Sequence, residues 1–159
     1  APHQIRAKLG AWDLFIHNAP DHVTAENQHD PASVRGSDED TWWGVFERNV
    51  RSLQPVARHF FSKMKRGATF VNVLPAAVVG DGVVKGGSAE SAAAVAAGRV
   101  VEYIARENAG SQVRFVNVGV ERVTGSDGVA GVDKVSKAIV EAVLKRGERG
   151  ESTCDYLNL

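Results

Sequence analysis

Residues 68–107, ATFVNVLPAAVVGDGVVKGGSAESAAAVAAGRVVEYIARE, restrict the possible folds more than any other stretch. A β-branched apolar run, Phe70 to Leu74, gives way to a glycine-rich loop and then to an alanine-rich helical pattern opened by Ser88. That order reads as strand, loop and helix. The chain before it offers a second strand, Trp12 to His17, placed directly after an Ile5 to Gly10 segment that reads as a helix end closed by glycine. Its apolar side chains are consecutive, which predicts burial on both faces, as in a parallel sheet.

The rest of the pattern alternates in the same way. Asp21 to Ser37 is polar and aperiodic and reads as a long surface loop. Ser37 is positioned to cap a helix reaching about Lys65, with Asp38, Glu39 and Asp40 favoured by the dipole of its first turn. Trp43, Phe46, Val50, Leu53, Ala57, Phe60, Phe61 and Met64 form its predicted core stripe. Pro55 removes a backbone donor and predicts a kink near Arg51. Val113 to Val118 reads as a strand and Val132 to Lys145 as a helix with Val135, Ile139, Val140, Val143 and Leu144 inward. Gly147 ends that helix, and Cys154 to Leu159 completes the pattern as a last strand.

With 159 residues, 43% of them apolar, the chain is expected to build one core and one domain over 1–159. Zero formal charge gives no electrostatic support for nucleic acid or an acidic membrane as partner. The single cysteine, Cys154, excludes an internal disulfide framework and a cysteine-rich zinc site, and fits a reducing compartment. No apolar run reaches the roughly 18 residues of a membrane span. A soluble cytoplasmic protein is the expectation.

Four motifs in order, His17-Asn18-Ala19-Pro20, Asn49-Val50, Phe70-Val71-Asn72-Val73 and Val113 to Val118, resemble the second half of the short-chain dehydrogenase/reductase family. There a strand closes with Asn-Asn-Ala-Gly, a long helix carries a catalytic-site asparagine, and a later strand reads Ile-Arg-Val-Asn-Ala-Val. The resemblance implies a truncated Rossmann-like three-layer α/β sandwich of about four parallel strands, with the first β-α units missing. The family's first strand, with its Gly-x-x-x-Gly-x-Gly turn for the dinucleotide, has no counterpart here. In the family a strand-end serine, a tyrosine and a lysine four residues later perform the proton transfer. The serine slots here hold Leu74 and Pro75, the tyrosine slot falls within Gly86 to Ser88, and the lysine slot on Ser91 or Ala92. No tyrosine occurs between Gly67 and Val101. The expectation is therefore no NAD(P)-dependent hydride transfer by this chain alone, and no cofactor.

Gly80-Asp81-Gly82 and Gly86-Gly87 superficially suggest phosphate binding, but the loop from Pro75 to Gly87 is longer than a phosphate-cradling turn and Asp81 would repel a pyrophosphate. His17 ends a strand at the carboxyl edge of the sheet, where open α/β folds bind ligands. His17, Asp21 and Asn49 are the candidate catalytic residues, and Asn18, Trp42, Glu121 and Arg122 the candidate substrate contacts. For His17, a polar edge residue is the alternative; for Asn49, a role in the helix kink alone. His17, His22, His29 and Asp30 lack metal-ligand spacing, so no metal is expected.

These readings lead to a non-redox protein that binds a small organic molecule at the strand ends, with cyclisation, isomerisation or dehydration as candidate reactions. A pseudoenzyme subunit that pairs with a complete dehydrogenase, or one fragment of a split dehydrogenase, is the alternative. Truncation leaves Leu14 to Asn18 as an apolar edge needing cover. A homodimer through that edge, or through the small-residue face of the Ser88 to Glu107 helix (Ala89, Ala92, Ala93, Ala96, Ala97, Val100), is expected; packing of those alanines on the chain's own sheet is the competing reading.

Overall fold

The computed structural model describes residues 10–18, 34–75, 88–120, 128–144 and 154–158. Four strands, β1 (Trp12–Asn18), β2 (Met64–Pro75), β3 (Arg114–Val120) and β4 (Cys154–Asn158), form one parallel sheet in that order. Between β1 and β2 run α1 (Glu39–Arg51) and α2 (Leu53–Phe60); α3 (Ser88–Glu107) links β2 to β3, and α4 (Gly128–Leu144) links β3 to β4. Parallel neighbours require such crossovers, because a strand must return to its starting edge before pairing again.

Each face of the sheet has its own core. Phe70, Leu74 and Phe115 pack with Leu53 of α2 and Ala97, Val101, Ile104 and Ala105 of α3. On the opposite face Val71, Val73, Val116 and Val118 meet Ile139 and Val143 of α4. Helices on both sides of a parallel sheet make the expected three-layer α/β sandwich. Paired residues of parallel strands point to the same face, so side chains stack in rungs. Phe15, Phe70 and Phe115 form an aromatic rung, and His17, Asn72 and Asn117 a polar one.

Several expectations are corrected. The helix predicted to run to Lys65 ends earlier: α1 breaks at Ser52, α2 stops at Phe60, a short 3-10 turn covers Phe61–Lys63, and β2 begins at Met64. The break falls beside the predicted kink, as expected for a proline three residues on. Asp38, not Ser37, is the cap, accepting from Thr41 N–H at 2.8 Å. The predicted stripe holds from Val50 onward, where Val50, Leu53, Ala57, Phe61 and Met64 join the core, but is rotated at the start of α1: Val45 and Asn49 are buried, whereas Trp43 is 54% exposed. β1 is the outermost strand of the described sheet, and on the side opposite Phe15 and His17 its Leu14 is 40% and its Ile16 44% exposed, so the burial predicted on both faces is not found. On α4, Val140 and Leu144 face outward, not inward.

The alanines of α3 serve chiefly this chain. Ala89, Ala93, Ala94 and Ala97 are buried, and their small size lets α1 and the sheet approach the helix closely. Where β2 begins, its pairing with β1 shifts between Trp12 and Leu14, and Gly67 sits in the slack with φ +80°, a conformation that glycine adopts without strain. The predicted 21–37 loop lies largely outside the described residues, and so does the Pro75 to Gly87 loop, of which only Pro75, the end of β2, is described; the segment before Gly10 lies outside them too.

Candidate functional site

The polar rung is the notable chemistry of this fold. His17, the penultimate residue of β1, is 8% exposed. Its Nδ1 lies 2.8 Å from Oδ1 of its register partner Asn72, and its Nε2 lies 2.9 Å from Ser52 Oγ at the break between α1 and α2. Asn72 Nδ2 donates to Asn117 Oδ1 at 2.9 Å, and Asn117 Nδ2 donates to Gly98 O at 3.5 Å and to Cys154 Sγ at 3.1 Å. Among the described residues every buried side-chain polar atom has a partner.

This chain of bonds fixes the histidine tautomer. The Gly98 carbonyl can only accept, so Asn117 turns its amide nitrogen toward it and its oxygen toward Asn72. Asn72 then presents nitrogen to Asn117 and oxygen to His17. Nδ1 must carry the proton, and the Nε2 lone pair accepts from the Ser52 hydroxyl. Burial pushes the His17 pKa below the ordinary 6.5, and the Asn72 hydrogen bond offsets this only in part. His17 is thus a neutral base at neutral pH with its accepting nitrogen directed at a hydroxyl.

The other candidates are arranged less tightly. Asn18 is the exposed last residue of β1. Asn49 is buried, its amide donating to Val45 O at 2.8 Å one turn back along α1. Trp42 is half-buried; its indole N–H donates to Ser88 Oγ at 3.1 Å, tying the start of α1 to the start of α3, and its ring stacks on Phe46 at 6.0 Å. Asp21, Glu121 and Arg122 lie outside the described residues. Cys154 is inert as a nucleophile: burial first, then the negative charge of Glu102, pushes its thiol up to about 12. An apolar cleft of ≈ 360 Å³, lined by Trp43, Phe46, Glu47, Val50 and Arg51, lies on the side of α1 away from Val45 and Asn49 and so does not adjoin His17.

Ser52, Asn72 and Asn117 were not singled out from the sequence. A signal was present: Phe-Val-Asn-Val occurs at residues 70–73 and again at 115–118, and the two copies pair in perfect register. Among the described residues no cluster of His, Cys, Asp and Glu could hold a metal, and no helix is long and apolar enough to cross a membrane.

No family model and no curated protein matches the sequence. The fold has many matches among solved structures. An enoyl-[acyl-carrier-protein] reductase (NADH) from Aquifex aeolicus superposes with a TM-score of 0.73 at 14% identity, over 98% of this chain and 67% of that one. A dehydrogenase/reductase from Sinorhizobium meliloti gives 0.73 at 12% identity over 99% and 66%. An enoyl-(acyl-carrier-protein) reductase from Anaplasma phagocytophilum, solved with NAD, gives 0.76 at 15% identity over 99% and 63%. The fold is therefore that of the short-chain dehydrogenases and enoyl reductases, and this chain spans about two thirds of their length.

That fold class implies a nicotinamide cofactor, and the residues at the three proton-relay slots do not supply the relay that works with one. Near the tyrosine slot the available hydroxyl, Ser88 Oγ, accepts from an indole, and the lysine slot is a serine or an alanine on α3. At the serine slot, Leu74 is buried in the apolar core.

Proposed function

We propose that the chain is a non-redox derivative of the short-chain dehydrogenase fold that binds a small organic molecule at the carboxyl ends of its strands. His17 serves as general base in a cyclisation, isomerisation or dehydration. The observation that carries this reading is the buried row that sets His17 Nδ1 against Asn72 Oδ1 and its Nε2 against Ser52 Oγ, near the strand end where open parallel sheets take their ligands. Because Nε2 accepts from Ser52, a proton reaches the imidazole by way of that hydroxyl. Asn18 and Trp42 are assigned as substrate contacts, together with Asp21, Asn49, Glu121 and Arg122.

The test is a ligand-observed NMR screen with small hydroxy- and keto-acids, followed by amide-shift mapping of any hit. Shifts concentrated at His17, Asn18 and Asn49 are expected. Hits that perturb only Trp43, Phe46 and Val50, on the outer side of α1, would remove the strand-edge site.

A second reading is favoured by one specific feature, the exposed apolar β1 edge. A pseudoenzyme or split-dehydrogenase subunit would bury Leu14 and Ile16 against a partner chain. Affinity capture that returns a chain carrying Gly-x-x-x-Gly-x-Gly, lost on Ile16→Lys, would establish it.

A further inference from the structure

Ser52, His17 and Asn72 stand in the order nucleophile, base and orienting group. Ser52 Oγ is 2.9 Å from Nε2, and Nδ1 is 2.8 Å from Asn72 Oδ1. Activated serines and cysteines share that logic whatever fold supports them. The orienter is itself held by Asn117, which donates to Gly98 O and Cys154 Sγ, so the row favours a proton on Nδ1. Ser52 keeps partial exposure where α1 breaks, and its carbonyl accepts from Val56 N–H at 3.3 Å, which fixes the backbone at the break.

We propose that Ser52 is a nucleophile activated by His17, and that the chain accepts acyl groups from small esters with good leaving groups. Ser52 Oγ attacks the ester carbonyl carbon, the carbonyl π electrons move to oxygen, and the hydroxyl proton passes to His17 Nε2. The tetrahedral adduct collapses, the bond to the leaving alcohol breaks, and that alcohol takes the proton from Nε2, leaving acyl-Ser52. Water then attacks the acyl group by the same proton route and releases a carboxylic acid. The orienter is a neutral amide, which holds the tautomer but stabilises imidazolium less than a carboxylate does. Activation is therefore modest, substrates need a phenol-like leaving group, and the acyl-enzyme accumulates.

The experiment is to mix the full chain with p-nitrophenyl acetate, follow p-nitrophenolate release, and map acetylation by peptide mass spectrometry, with a fluorophosphonate probe in parallel. A burst, followed by slow turnover and modification at Ser52, is expected. Ser52→Ala removes both, and His17→Gln slows labelling by about 100-fold. Ser52→Cys supplies a readout should His17→Gln not fold: its thiol should react with iodoacetamide faster than an ordinary cysteine at mildly acidic pH, where His17 keeps a thiolate. Labelling unchanged in Ser52→Ala, or a Ser52→Cys thiol of ordinary reactivity, would overturn the proposal. Acylation at Ser52 needs no ligand at the strand edge, so this result and the NMR screen can fail independently.

Discussion

Asn72 and Asn117 face one another across β2 and β3 as register partners, joined at 2.9 Å with neither side chain exposed. Two amides inside an otherwise apolar layer are tolerated because each satisfies the other and because the row continues to His17 on one side and to Gly98 and Cys154 on the other. The aromatic rung two residues earlier holds the strands together; this rung sets the protonation of a base.

Breaking the row in its middle should be costly. Asn72→Ala strands His17 Nδ1–H and Asn117 Oδ1 without partners, and each orphaned buried group costs about 1–3 kcal/mol. Urea unfolding should show a loss of about 2–5 kcal/mol, against a much smaller loss for Ser52→Ala, whose site is half-buried. Equal losses would mean that the row does not act as one unit.

Stability should fall on acidification in a window that belongs to His17. Its folded pKa lies below the unfolded 6.5, so between the two values the unfolded chain binds a proton that the folded chain does not. The contribution is fully present above pH 6.5, declines as pH drops toward the folded value, and has no further slope below it. The difference between the wild-type and His17→Gln unfolding midpoints, followed from neutral to mildly acidic pH, should narrow across that window; a constant difference would contradict the buried neutral imidazole.

The aromatic rung and the exposed side of the edge strand should respond very differently. Phe70→Ala opens a void between Phe61 and Phe115 and should cost about 3–5 kcal/mol. Ile16→Thr, on the exposed side of β1, should stay within about 0.5 kcal/mol.

Self-association separates the two surfaces proposed for a second copy. Sedimentation should show weakened association for Leu14→Lys with Ile16→Lys if β1 edges pair. Val95→Glu should have that effect if the outer side of α3, where Val95 and Tyr103 are exposed, is the contact. Insensitivity to both would direct attention to another surface.

Nicotinamide dinucleotides should produce neither a fluorescence change nor a thermal shift with this chain. Micromolar binding of NADH or NADPH would show that the sites judged unfit on Ser88, Leu74 and α3 are not what decides cofactor use.

Residue order alone determined a good deal: the strand-loop-helix alternation, the parallel sheet, the break near Arg51 and the missing tyrosine. These follow from local periodicity, backbone chemistry and identity at given positions. The tertiary structure decided which side of α1 is buried, because Val45 and Trp43 are both apolar and only the approach of α3 selects between them. It also decided that the wider small-residue face of α3 is spent largely inside the chain. Above all it decided the Ser52, His17, Asn72 and Asn117 row, whose members lie 35 to 55 positions apart in their bonded pairs. The repeated Phe-Val-Asn-Val marks Asn72 and Asn117, but only the register of three parallel strands joins them to His17, and only the packing of the α1–α2 break over the sheet joins Ser52.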